Sequence, residues 1–437
     1  MDRAGANPRP ARSLAVLVAV ALLAAACGSA SAPAERTTPD PTGATPDHEQ
    51  PTPDRAQPAV PDDDRADGVE AAPEDAEEPI RAAWVHLFDD TLKSTASIAT
   101  VVAEALDAGV NTLIAQVVRR QDAYYDSQVL PPTSDPALEP GLDVLTTLLA
   151  ATAGTGLEVH AWVSVAPTWH QSYEGLEPPP DWVSLVHGPN APVADRWVTR
   201  AADGTWTSYL DPALPAVRQH VVAVVTELVD RYAVAGVHLD YVRYEGDDRG
   251  YHPEALARYA QETGNAVPPE VDDPAWSEWR RAQTRSLMAE VHAVLEGREA
   301  VLSAPVITWG APLSGTALAG TRTYDEALQD WAGWARDGLV DVLYPMNYFR
   351  AHEPEQAGWF DGWVSYQAAL AAEVDTAIVG GVGGWLNQPD AVVEQLRTAS
   401  TSLDGAALYS FQQPVEGDRD GMLARLAGSG WSGTTTP

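Results

Sequence analysis

From about residue 80 onward, short runs of apolar and β-branched residues alternate with longer stretches whose apolar positions recur every three or four residues. The short runs predict strands at Ala82 to Phe88, Thr112 to Val118, Glu158 to Val165, Gly236 to Tyr241, Ala300 to Val306, Val340 to Tyr344, Thr376 to Val382 and Ala406 to Phe411. The stretches between them predict helices near Ser94 to Ala108, Leu142 to Ala153, Pro215 to Tyr232, Ala275 to Leu295, Tyr324 to Arg336, Gly362 to Ala372, Pro389 to Ala399 and Asp418 to Leu426. Asp211-Pro212 and Gln388-Pro389 read as helix starts, where proline's missing donor is not needed. Strand followed by helix, repeated eight times over roughly 350 residues, predicts a (β/α)8 TIM barrel. A doubly wound sheet with a nucleotide site would need a Gly-rich loop after its first strand, and this chain has none there.

The pattern before residue 80 is different. Arg3, Arg9 and Arg12 precede an apolar run from Leu14 to Ala26, the layout of a secretory signal and too short for a membrane span. Leu22-Leu23-Ala24-Ala25-Ala26-Cys27 resembles a lipobox, with Ala24 where a larger aliphatic residue is usual. Residues 1–27 are therefore expected to be a lipoprotein signal peptide, with Cys27 the lipidation site. Residues 28–79 are Pro, Ala, Thr, Asp and Glu with almost no large apolar side chain, which predicts a disordered, acidic, Pro-rich linker. As a flexible coil it would reach about 40 Å. Residues 80–437 form the barrel domain, expected outside the cytoplasm as a cell-membrane lipoprotein or a secreted protein.

Composition narrows the partners. A formal charge of −35, with Lys93 the sole lysine, repels phosphate backbones and makes nucleic acid a poor partner. Fifteen tryptophans against four phenylalanines suit stacking on sugar faces, although any single tryptophan is more often core packing. Cys27 is the only cysteine, so no intrachain disulfide or cysteine zinc cage is expected.

Candidate chemistry centres on Gly236 to Tyr244. At a period of two, His238 and Asp240 share one face of the strand, which in a barrel is the interior. Asp240 lies at the carboxyl end, where barrel enzymes place their reactive groups. Other strand ends offer Asp89 and Asp90; Arg119, Arg120 and Asp122; His160 and Trp162; Arg243 and Glu245; Asn347, Tyr348 and Arg350; Trp385; and Gln412 and Gln413. All are expected to converge on one mouth. Glycoside hydrolysis needs two carboxyl groups roughly 5 to 9.5 Å apart. Asp240 is the strongest single candidate, with His238 and Arg243 as neighbouring cations that would hold it ionised; a structural Asp–Arg brace is the alternative. The second carboxyl is open among Glu245, Asp122, Asp90 and Asp89. His86, His160 and His238 all fall on strands and keep a zinc hydrolase in view, but the chain has no H-E-x-x-H and no paired H-x-H on the first strand. The long connection from Ala166 to Asp211 carries Trp169, His170, Tyr173, Trp182, Trp197, Trp206 and Tyr209, which would either wall a cleft or pack on themselves.

These segments together resemble the bacterial glycosyl-hydrolase-like 10 family. Arg81-Ala82-Ala83-Trp84-Val85, Gly109-Val110-Asn111-Thr112, Glu158-Val159-His160-Ala161-Trp162, Leu210-Asp211-Pro212, Gly236 to Tyr244, and Asp341 to Tyr348 are each similar to its motifs in order. Asp122-Ala123-Tyr124-Tyr125-Asp126-Ser127 is similar to another, with Gln121 where that motif has glycine. The resemblance implies a barrel glycosidase of the cell envelope, needing no cofactor and acting on a polysaccharide such as peptidoglycan glycan strands. It implies a catalytic role for Asp240. The strand ends themselves offer Glu245 and Asp122 as further catalytic candidates, and His160, Trp162, His238, Tyr241, Arg243, Arg119, Tyr125, Asn347, Tyr348 and Trp385 as candidate substrate contacts. A carbohydrate-binding barrel without catalysis is the alternative from another class, since Ser303-Ala304-Pro305-Val306 lacks the fifth-strand Glu of α-amylase-type barrels.

Overall fold

The computed structural model describes residues 78–168, 180–412, 419–429 and 431. Cys27, Trp169, His170, Tyr173 and Gln413 lie outside them. The strands are β1 (Ile80–Val85), β2 (Thr112–Val118), β3 (Glu158–Ser164), β4 (Val198–Arg200), β5 (Trp206–Leu210), β6 (Gly236–Asp240), β7 (Val301–Ile307), β8 (Val342–Asn347), β9 (Ala377–Gly383) and β10 (Gly405–Tyr409). All except β4 and β5 close into a parallel barrel, in the order β1-β2-β3-β6-β7-β8-β9-β10. β4 and β5 pair as an antiparallel hairpin within the long connection.

Barrel strands are buried on both faces, which is why they read as unbroken apolar runs. Alternate residues still part company. Ala83, Val85, Leu113, Ala115, Leu302 and Ala304 pack outward against helices. Ala82, Trp84, Ile114, Trp162, Val342, Tyr344, Val379 and Ala407 fill the interior. Glycine makes room for two of the large inner rings. A Cβ at Gly381 would lie 3.2 Å from the Trp84 ring and 2.8 Å from the Pro345 carbonyl oxygen, and one at Gly236 would lie 2.8 Å from Nδ1 of His160.

The helices start where local capping chemistry allows. Ser94 and Ser97 form a reciprocal cap on Thr95–Asp107, and Asp273 accepts from two backbone N–H groups of Pro274–Leu295. Three sequence expectations are corrected. Asp211-Pro212 does not start a helix: Pro215–Arg231 begins three residues beyond Pro212, and Asp211 is buried, accepting the Ala213 N–H at 3.0 Å. The stretch from Tyr324 to Arg336 is two short helices, Arg322–Asp325 and Trp331–Arg336, with Leu328 between them at φ +52°. A further helix, Pro253–Thr263, stands in the connection after β6 and ends at Gly264 with φ +74°. Tyr259 of that helix packs with Tyr251, Trp276 and Trp279 in an aromatic core of its own. Trp84, Trp182, Trp276, Trp331, Trp334 and Trp363 are all fully buried, so much of the tryptophan excess is packing.

Gln121 explains why glycine suits its position. Its φ of +64° is costly for a residue with a Cβ, by about 1–2 kcal/mol. Its side chain offsets that cost: Nε2 donates to the carbonyls of Ser164 (2.9 Å) and Val165 (3.1 Å), and Oε1 accepts from Nε2 of His220 (3.1 Å). These bonds pin the loop after β2 to the end of β3. Gln121→Gly should relieve the strain, lose these side-chain bonds and be about 1–2 kcal/mol less stable; Gln121→Ala keeps the strain and should lose about 1 kcal/mol more. Denaturant midpoints check both. A glycine variant as stable as the wild type would show that the bonds contribute nothing.

Candidate active site

β6 ends at Asp240, and its register sets His238 beside Trp162 and Asp240 beside Ser164. The period of two sends His238 and Asp240 inward, His238 into the filled interior and Asp240 one layer higher at the mouth. There Oδ2 of Asp240 accepts the Trp162 indole N–H at 3.1 Å, and Oδ1 accepts the backbone N–H of Tyr241 at 2.7 Å. Tyr241 makes the second bond at φ +66°, a left-handed conformation rare for a non-glycine residue. Burial raises the Asp240 carboxyl to about 6, against the opposing pull of Arg243 and the two hydrogen bonds.

Three phenols surround this carboxylate. Tyr241, Tyr348 and Tyr409 each feel its charge, and burial, the larger cause, raises all three hydroxyls, so they stay protonated. Their rings remain partly accessible, and no hydroxyl of the three has a hydrogen-bond partner among the described residues. Trp385 packs edge-on against Tyr348 (4.9 Å) and Tyr409 (5.3 Å), and Tyr209 meets Tyr241 at 5.9 Å. Among the described residues the mouth is therefore an aromatic bowl with the Asp240 carboxylate in its floor and three unpartnered phenol donors around it.

Arg243 and Arg119 keep to the rim. Arg243 lies over the Tyr241 ring at 4.8 Å, and Arg119 lies over the exposed ring of Phe88 at 4.5 Å while donating to the Leu87 carbonyl. Glu245 is half-buried on the same segment as Arg243. Burial raises its carboxyl, opposed by Thr207, Arg249 and Arg243. The sequence reading missed Tyr409, because it ran the last strand on to Phe411 and looked beyond it for the strand end.

Several expected site residues lie elsewhere. His238 is fully buried in the interior, where Nε2 accepts from the Trp84 indole (3.0 Å) and Nδ1 faces Ser303 Oγ (2.9 Å). An indole N–H can only donate, so His238 carries its proton on Nδ1 and is neutral. Burial, aided by His160, pushes it well below the usual histidine range, and it is not a cation that holds Asp240 ionised. His160 lies a layer deeper still, at the level of Gly236 and 3.8 Å from Glu158. Asn347 points outward, exchanging two hydrogen bonds with Gln367 of the helix Pro354–Ala371. Tyr125 donates to Glu227 on the helix Pro215–Arg231, behind the sheet. Asp122 is wholly buried and clamped by the backbone N–H (2.9 Å) and guanidinium (2.8 Å) of Arg120, which withdraws it from catalysis.

Asp89 accepts from Thr91 in a turn, and Asp90 is an exposed partner of Lys93. His86 does reach the mouth layer, fully buried and lowered to about 4, mainly by burial. His86, His238 and His160 thus sit at three heights, and the described residues hold no cluster of three metal-ligating side chains. In the long connection, Trp197 stacks on His187 at 3.6 Å and Trp206 packs under Arg196, so its described part is largely self-packed. Tyr209 is the exception.

The family model described as glycosyl hydrolase-like 10 matches residues 79–384. Over 264 residues the chain is 29% identical to the glycosyl hydrolase DigH of Escherichia coli (strain K12), covering 55% of each. Over 252 residues it is 26% identical to the glycosyl hydrolase YngK of Bacillus subtilis (strain 168), covering 55% of this chain and 46% of that one. The chain spans about half the length of these curated relatives. Its fold is similar to the PgaB (BpsB) glycoside hydrolase domain from Bordetella bronchiseptica, with a TM-score of 0.53 at 14% identity. It is similar also to the catalytic domain of β-amylase from Paenibacillus polymyxa, with a TM-score of 0.57 at 10% identity; each alignment covers 79% of this chain and 98% of the other. With the matched model spanning well over half its residues, the chain belongs to the glycosyl hydrolase-like 10 family.

Proposed function

We propose that this protein hydrolyses O-glycosidic bonds of a cell-envelope polysaccharide, with peptidoglycan glycan strands as the substrate and Asp240 as the essential carboxylate. The observation that carries the reading is the floor of the mouth. A carboxylate raised to about 6 stands among three unpartnered phenol hydroxyls and an aromatic wall. Sugars present alternating hydroxyls and flat C–H faces, and this bowl offers donors and rings to match. Lipidation of Cys27 and the tether of residues 28–79 would hold the barrel at the membrane within reach of the wall.

At pH 7 a carboxyl of pKa about 6 is roughly nine-tenths ionised. Its two N–H donors and Arg243 favour the anion, which faces the positive charge that develops on the sugar ring in the transition state. Glu245, raised by burial and five residues beyond Asp240 on the same segment, is the proton donor to the leaving oxygen. The alternative, a barrel that binds glycan without cleaving it, draws on the single carboxyl that the described residues place in the floor.

The test incubates the protein with peptide-stripped glycan strands and reads the products by mass spectrometry. Release of shorter strands is expected; retention of glycan on a column with no product would establish the binding reading instead. Asp240→Asn should fold normally and lose about a thousandfold in turnover. Because the ionised form is the working one, kcat/KM should decline as pH falls through about 6. Activity within tenfold of the wild type would remove Asp240 from the chemistry. Trp162→Phe deletes a donor to the Asp240 anion and should move this acid limb upward by roughly one pH unit. Glu245→Gln should lose about a hundredfold on glycan strands yet little on an aryl glycoside with a nitrophenolate leaving group, which needs no proton. Equal losses on both would exclude Glu245 as the acid.

A further inference from the structure

Arg243 stands apart from the other arginines. Every other arginine in the described residues bonds its guanidinium to a carboxylate or a backbone carbonyl, Arg196, Arg200 and Arg280 included. The Arg243 guanidinium makes no hydrogen bond or ion pair among the described residues. In a chain with 62 acidic and 27 basic residues, a guanidinium that acts on Asp240 and Glu245 from a distance but touches neither needs a physical reason.

Packing supplies it. The guanidinium sits over the Tyr241 ring at 4.8 Å and 5.9 Å from the ring of Trp309, half-exposed just past β7. The backbone on either side is fixed: the Val242 carbonyl accepts Gln329 Nε2 at 3.1 Å, and the Tyr244 N–H donates to the Ala327 carbonyl. Asp240 makes no ion pair with the guanidinium; its two oxygens accept from Trp162 and from the backbone of Tyr241. A guanidinium whose faces lie against rings and whose planar edge carries unfilled donors matches a planar pair of acceptor oxygens.

We propose that Arg243 is the seat for a carboxylate carried by the sugar beside the scissile bond, so that the substrate is an acidic glycan. This deepens the hydrolase reading and rests on it for the placing of the glycan at Asp240. The net negative charge repels a polyanion at long range, so recognition of the substrate's charge must be local, within a Debye length of about 8 Å.

The test compares peptide-stripped glycan strands, whose muramic residues carry a free carboxylate, with the same strands after carbodiimide–borohydride reduction of that group to an alcohol. Binding is measured by calorimetry on the full chain bearing Asp240→Asn, which separates affinity from turnover. The acidic strands should bind at least about tenfold more tightly than the reduced ones, the margin of a charge-assisted pair. Adding Arg243→Gln should bring the ratio to within about twofold, and Arg243→Lys, a point charge without the planar fork, should give an intermediate value. An equal affinity for the two strands, a preference that survives Arg243→Gln, or no binding of either strand overturns the inference. Cleavage of both strands at equal rates by the wild type would leave the hydrolase standing without the carboxylate seat. Selective binding without any cleavage would leave the seat and remove the hydrolase.

Discussion

The interior of the barrel depends on the hydrogen bond from the Trp84 indole to His238. It crosses the barrel from β1 to β6, in a place no water reaches, and it decides a protonation state. A proton on Nε2 would set donor against donor in a dry environment, so the ring is held neutral and its remaining N–H goes to Ser303 on β7. Three strands are thereby tied through one polar contact, and the ring of Trp84 fills the space that Gly381 leaves open. The consequence reaches the mouth. With His238 neutral and one layer down, Asp240 has no histidine cation beneath it and is held by N–H donors instead.

Those donors set what kind of carboxylate Asp240 is. The left-handed conformation of Tyr241 costs about 1–2 kcal/mol. A charge-assisted hydrogen bond to the Asp240 anion returns about 1.5–3 kcal/mol, so strain and bond balance near zero or slightly in favour. The same turn buries Val242 among the helix-facing residues and swings Arg243 back over the rim. A single strained residue therefore orients the carboxylate, anchors the segment and aims the cation. Backbone strain tends to collect where a reactive group must be held against its own preferences.

The barrel was legible because buried parallel strands cannot be mistaken once eight of them recur with helices between, and β2 was read to its ends. Depth and direction were not equally legible. Asn347 and Tyr348 are adjacent, so period two puts one on each face, and the parity of Tyr344 shows that Tyr348 is the inward one. That signal was present in the sequence. His160 shares its face with Trp162, yet lies at the bottom of the barrel, because the register between strands is set by the closed sheet and not by any one strand. Asp122 and Tyr125 fell in a loop without period, where only tertiary contacts with Arg120 and Glu227 say which way they face. Tyr409 was hidden by an error of two residues in the end of a strand, enough to hand its place in the reading to Gln412 and Gln413.

A carboxylate buried at a barrel mouth is usually expected to be balanced by the nearest arginine, and here the two are kept apart. Had Arg243 closed onto Asp240, the pair would hold the carboxyl below its ordinary range, and the guanidinium would be neutralised by the protein itself. Instead the carboxyl is raised to about 6 by burial, with neutral N–H groups doing the anchoring. The arginine is lodged against the rings of Tyr241 and Trp309, close enough for its field to reach Asp240 but with its donors unfilled by any of the described residues. Holding an anion with neutral donors leaves the nearest cation unneutralised at the rim, so the two charges of the mouth can act on different atoms of one ligand.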